Sequence, residues 1–200
     1  MKRILSIILI SISAFSCSQK SHSSELEDNF HETEIQDLQR LTSFFQDQMC
    51  GSNDKFKPCL DSLIPHLVES GYQAILENID FEEQQALYAS FKTDLFSEIW
   101  EYSKVKNIQE NKYYKLIAFK IDGKYASFLK DLAKRNLELE EYYDRMMESG
   151  DWESLGLLQQ RIYTNPDHYD LKDPAIQVLI AVHFLTQNDQ QKRKEAWRED

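Results

Sequence analysis

Glycine and proline are scarce. Five glycines and four prolines in 200 residues exclude a collagen-like repeat, a low-complexity tract and an all-β fold built on frequent turns. Three cysteines are too few for a small disulfide-built scaffold. Cations are outnumbered: 23 Lys and Arg against 34 Asp and Glu leave a net charge of −11. That balance argues against nucleic acid or anionic lipid headgroups as main partners. Familiar catalytic patterns are missing too. There is no GxSxG elbow, no phosphate-binding loop, no GxGxxG turn, no HExxH pair and no CxxC. The sequence therefore implies no metal and no cofactor. No apolar run reaches the roughly 20 residues needed to span a bilayer.

What is present begins at the N-terminus. Lys2 and Arg3 precede an apolar stretch from Ile4 to Phe15, broken only by serines, and Cys17 closes it with Ala14 and Ser16 just before. Length and flanks fit a secretory leader. The Ala14-Phe15-Ser16-Cys17 segment resembles the lipobox of bacterial lipoproteins. The resemblance implies cleavage before Cys17, acylation of Cys17 as the new N-terminus, and a protein tethered to a membrane of the cell envelope (periplasm or outer membrane) through that lipid. Residues 1–16 then form the signal peptide, 17–28 a flexible spacer and 29–200 a single helical domain, with a sub-boundary near 103–112 compatible with the pattern. Removing the leader takes away Lys2 and Arg3 and no acid, so the mature chain carries −13.

Export places Cys50 and Cys59 in an oxidising compartment, where a disulfide is expected. Around them the apolar residues follow helical spacing. Ile35, Leu38, Leu41, Phe45 and Met49 share one face of a helix expected from Leu26 to Met49. Ser62 is expected to cap a helix with Pro65 in its first turn. Asp80 with Glu83 forms a capping box opening a long helix through Leu87, Phe91, Leu95, Ile99 and Tyr102. Residues 103–112 read as a polar loop and 113–132 as two helices broken at Asp122-Gly123, although Asp-Gly between apolar runs is also a hairpin signal. Helices follow from Leu137 to Glu148 and, capped by Asp151, from Trp152 to Tyr163; Asp173 and Pro174 open a helix apolar almost all round to Leu185, and the charged tail extends a solvated helix or frays. The fold expected is all-α, an irregular bundle of about seven to nine helices. Gly150 to Pro166 resembles half of a tetratricopeptide repeat, which implies a helical hairpin in the C-terminal half.

Catalytic candidates are few. Asp167, His168 and Asp170 sit with Tyr169 on a turn, the kind of segment that carries function. His183 shares a face with Ile176, Ile180 and Phe184 and reads as a buried histidine, while Glu138, Glu140, Glu141 and Asp144 read as a solvated acidic face. Tyr113, Tyr114, Tyr142, Tyr143, Trp152, Tyr163 and Tyr169 suit either packing or an interface. The expectation is a membrane-anchored, non-enzymatic binding protein with a protein partner held through residues 113–187. The alternatives are an envelope hydrolase working through His168, and an acidic inhibitor or immunity-type protein covering a basic partner.

Overall fold

The computed structural model describes residues 23–51, 55–71 and 73–198. The leader, the lipobox with Cys17 and residues 18–22 of the expected spacer lie outside the described residues. The fold is a multi-helix bundle, mainly α, with one antiparallel two-stranded hairpin.

The bundle is organised around α10 (Pro174–Lys192). Asp173 caps it by accepting from the Ala175 amide (2.8 Å), and Pro174 stands at the first turn, where no N–H is missed. Ile176, Leu179, Ile180, Val182, Phe184 and Leu185 are all buried. Each such side chain contributes roughly 1.5–3 kcal/mol by leaving water. α2 (Glu32–Cys50) lays its expected stripe, Ile35 to Met49, against α10, and Phe45 meets Phe184 edge-on at 5.3 Å.

The expected first helix is in fact two. α1 (Ser24–Asn29) ends at Phe30, whose extended backbone turns its buried ring onto Phe128 (5.9 Å). Residues expected as spacer therefore already belong to the body: Leu26 is buried and Glu25 pairs with Arg135 at 2.7 Å. α3 (Phe56–Ser70) starts before Ser62 and runs through Pro65. Its buried stripe Phe56, Leu60, Ile64 and Leu67 outweighs the one carbonyl, that of Asp61, left without its helical donor at the exposed surface. The Cys50–Cys59 disulfide joins the end of α2 to the first turn of α3, with Cα atoms 5.8 Å apart.

α4 (Gln73–Asn78) precedes Asp80 as a separate short helix, and the long helix expected from Asp80 to Tyr102 breaks into α5 (Phe81–Ala89), α6 (Leu95–Ile99) and a strand. Asp80 does cap α5, accepting from the Glu83 amide at 2.9 Å. The strand, β1 (Trp100–Asn107), pairs with β2 (Lys112–Phe119) in an unbroken antiparallel register from Trp100–Phe119 to Asn107–Lys112. The expected polar loop at 103–112 and helix at 113–121 are thus the two arms and turn of a hairpin. Asn107 Oδ1 accepts from the Glu110 amide (3.0 Å) and Asn111 takes a left-handed φ of 51°, which closes the turn. Asp122-Gly123 instead leads into α7 (Lys124–Ala133).

α8 (Leu137–Ser149) packs on α7, and α9 (Leu155–Thr164) packs on α3. The closest backbone packing of α8 is therefore with α7 rather than with α9, as a tetratricopeptide-like pair would have it. Ser154, not Asp151, stands at the cap of α9. With these divisions the described residues hold ten α-helices and one 3-10 turn, Pro166–His168. The tail does not continue α10: residues 195–197 run as a short extended segment beside β2.

Candidate functional site

The turn carrying Asp167, His168 and Asp170 is exposed at all three residues. Asp170 Oδ1 accepts from the Lys172 amide (3.0 Å), and the His168 carbonyl accepts from Asn136 Nδ2 (3.1 Å). A cleft of about 200 Å3 between α3 and α9 is lined by Leu60, Ile64, Ile162, Tyr163 and Tyr169. None of the three candidates lines it, so the turn does not gather an acid–base pair around a concave space. Among the described residues no three His, Cys, Asp or Glu side chains stand close enough to hold a metal ion.

His183 is fully buried, as expected. The Tyr142 hydroxyl and His183 Nδ1 share a hydrogen bond (2.8 Å), and Trp152 meets the ring edge-on at 5.7 Å. Burial holds the imidazole pKa down at about 3, so the ring is neutral; the Glu153 carbonyl pulls weakly upward, yet Nε2 has no hydrogen bond of normal geometry. Glu138 and Glu141, expected on a solvated face, are half-buried and grip Arg161 of α9 at 2.6 and 2.9 Å. Glu153 completes the cluster 3.6 Å from the Arg161 Nε; its burial raises its carboxyl pKa, with Arg161 and Arg145 opposing. This network ties α8 to α9 inside the bundle and lines no described cleft.

The hairpin is different. Its base is anchored in the core: Trp100, Ile117 and Phe119 are buried, and Trp100 Nε1 donates to Thr186 of α10 at 2.7 Å. Its outer half projects. Tyr102, Val105 and Tyr113 are 43–45% exposed and Ile108, in the turn, is 82% exposed. Four lysines accompany them, Lys104, Lys106, Lys112 and Lys115, against Glu101 and Glu110. Within an acidic chain this is a basic and aromatic projection.

Pleating sorts these side chains. Trp100, Tyr102, Lys104 and Lys106 share one face with Phe119, Ile117, Lys115 and Tyr113 opposite. Lys104 Nζ lies 4.5 Å from the centre of the Tyr113 ring, Lys115 Nζ 5.1 Å from that of Tyr102, and the Arg193 guanidinium 5.3 Å from Tyr102 as well. Each such contact is worth about 0.5–1 kcal/mol at an exposed site and holds a cation over a ring. On the β2 side the tail adds a partial third strand. The Lys115 amide donates to the Glu195 carbonyl (2.8 Å) and the Trp197 amide to the Tyr113 carbonyl (2.9 Å). Lys115 Nζ also sits 2.7 Å from Glu195 Oε1, and this hydrogen bond lowers the Glu195 pKa. A groove of about 450 Å3 runs between hairpin and tail, walled by Val105, Ile108, Tyr114, Leu116, Arg193 and Lys194.

The hairpin combines exposed apolar area, orientable cations and strand edges, which is what recognition of another chain requires and what hydrolytic chemistry does not. The strand signals in Trp100–Asn107 and Lys112–Phe119 were aromatic and β-branched residues flanking a polar turn, and they mark this site in the sequence. No family model, curated protein or solved structure matches the chain.

Proposed function

We propose that the chain is a lipid-anchored, non-enzymatic interaction protein of the bacterial cell envelope and that the β1–β2 hairpin is its contact surface. The observation that carries this is the hairpin's projecting half, where Tyr102, Val105, Ile108 and Tyr113 stay exposed among four lysines on a chain of net charge −11. Exposed apolar side chains framed by charge, gathered on one projecting element, are what interaction sites on monomeric proteins present. The surface is smaller than the expected 113–187 and shifted toward 100–116, because Tyr142, Trp152 and Tyr169 are buried. The lipobox-like Ala14-Phe15-Ser16-Cys17 supports the anchor, and the Cys50–Cys59 disulfide suits an exported protein.

Two experiments test the reading. A photo-crosslinking amino acid at position 108, introduced in cells, should form a discrete adduct with an envelope component, while one at the exposed Tyr163 on α9 should not. Cys17→Ser should release the protein from the membrane fraction. Adducts equal at both positions would remove the hairpin as contact surface, and unchanged fractionation would remove the anchor.

A further inference from the structure

We infer that the hairpin takes an extended acidic peptide segment of a partner protein as an added strand along the outer edge of β1. The inference rests on the hairpin being the contact surface and specifies what it recognises.

The backbone directions follow from the tail. The Tyr113 carbonyl and the Lys115 amide bond to residues 197 and 195, so both residues turn their backbone groups away from β1. In an antiparallel ladder this orientation alternates, so Tyr114, opposite Val105, faces β1. On β1 itself, Glu101, Ser103 and Val105 then face β2, while Tyr102, Lys104 and Lys106 present N–H and C=O outward. The Lys120 amide bonding to the Ile99 carbonyl fits the same alternation. Among the described residues the sheet has only β1 and β2, with the tail on the β2 side, so no further strand lies on the β1 edge. Residues 101–106 are exposed apart from half-buried Ser103, and the register contains no bulge.

Lysines on an edge strand can simply repel other strands. Here they also gather on one face of the hairpin. Lys104 stands directly opposite Lys115, with Lys106 two residues along on the same face. Lys115 already meets the Glu195 carboxylate at 2.7 Å, and Lys104 and Lys106 both lie over the Tyr113 ring, so the face is a cluster of cations held in place. A strand bearing carboxylates on that face complements the cation cluster, and a neutral or basic strand does not. The molecule already contains one example of such recognition: Glu195 pairs its backbone with the edge of β2 and sets its carboxylate on Lys115. A second copy is the poorer occupant, since β1 against β1 brings lysine to lysine and the chain carries −11 overall.

The test uses the full-length protein, labelled with 15N, and an octapeptide alternating glutamate with valine and tyrosine. The same peptide with lysine for glutamate is the control, as are phosphatidylglycerol vesicles. The acidic peptide should shift the amides of Tyr102, Lys104 and Lys106 more than those of Glu101, Ser103 and Val105, and the basic peptide should shift none. Lys106→Ala should weaken binding about threefold through lost charge. Lys106→Pro, which removes an outward N–H and leaves the ladder to β2 intact, should weaken it about tenfold or more. The double variant K104E/K106E should reverse the preference toward the basic peptide, and this holds the proposal testable should proline disrupt the hairpin. Unmoved β1 amides, equal binding of both peptides, or binding to vesicles alone would overturn the inference. A retained crosslink at position 108 with unmoved β1 amides would leave the contact surface standing and remove strand addition; loss of both would remove both.

Discussion

Lys104 of β1 stands directly opposite Lys115 of β2, in the half of the hairpin that leaves the core. Two like charges in that position oppose each other by roughly 0.2–1 kcal/mol. The Glu195 carboxylate 2.7 Å from Lys115, together with the stacking of Lys104 on Tyr113 and of Lys115 on Tyr102, offsets part of the cost. Lys104→Glu places a carboxylate opposite Lys115 and should raise the thermal midpoint by about 1–3 °C. The same change should weaken capture of the acidic octapeptide. A lowered midpoint would show that the Lys104–Tyr113 stack contributes more than the lysine pair removes.

The bundle was legible in the sequence wherever apolar spacing and a cap agreed. In α10, Asp173, Pro174 and an apolar circumference all point the same way, and in α2 the stripe from Ile35 to Met49 is buried as its spacing predicts. Residues 87–102 were not legible, for a physical reason. Tyr88, Phe91, Phe96, Trp100 and Tyr102 form one stacked aromatic cluster, with Tyr88 and Trp100 4.9 Å apart and Phe96 and Tyr102 5.4 Å apart. A helix–strand junction gathers those rings on one side as a continuous helix would, so periodicity alone cannot separate the two. The projecting site was hidden differently. A net charge of −11 averages over the chain and conceals four lysines within twelve residues, Lys104 to Lys115.

Gly123 illustrates a second ambiguity. Asp-Gly reads as a hairpin turn, yet Gly123 has a φ of −81° that any residue adopts. Its requirement is space: a Cβ there would lie 2.3 Å from the Glu98 carbonyl oxygen. The Lys124 amide also donates to the Glu98 side chain at 3.0 Å, so α6 and the start of α7 are in close register beneath the hairpin. Gly123→Ala must push these elements apart and should cost on the order of 2 kcal/mol. Urea unfolding measures it. A cost below about 0.5 kcal/mol would mean that the junction relaxes freely.

The disulfide closes a sequence separation of nine residues, and both sulfurs are on half-buried residues. On the chain-entropy account a loop of that size contributes about 2.5 kcal/mol. Native protein should show no reactive thiol at Cys50 or Cys59, and reduction should lower the urea midpoint without abolishing the fold. α2 retains its contacts with α10 through Leu38, Leu41 and Phe45, whichever state the sulfurs are in. Two reactive thiols in native protein would remove the bond, and an unchanged midpoint on reduction would remove its contribution.

His183 sets an acid limit on stability. Its folded pKa of about 3 lies below the ordinary value of 6.5, because burial opposes the charged ring. The unfolded chain therefore binds the proton first. The contribution of neutral His183 is complete above pH 6.5 and is lost progressively as the pH falls toward 3. By pH 5 the loss is about 2 kcal/mol for an ideally behaving group. Glu153 acts in the opposite sense: burial raises its carboxyl, so its share is present below its ordinary pKa and lost as the pH rises through the raised one. Acidification thus weakens the fold through His183 while relieving Glu153. His183→Gln removes the first effect and keeps the second. Wild-type urea midpoints should fall from pH 6.5 to 5, and those of the variant should fall less or rise. Equal slopes for both would mean that the ring is already protonated beside the Glu153 carbonyl.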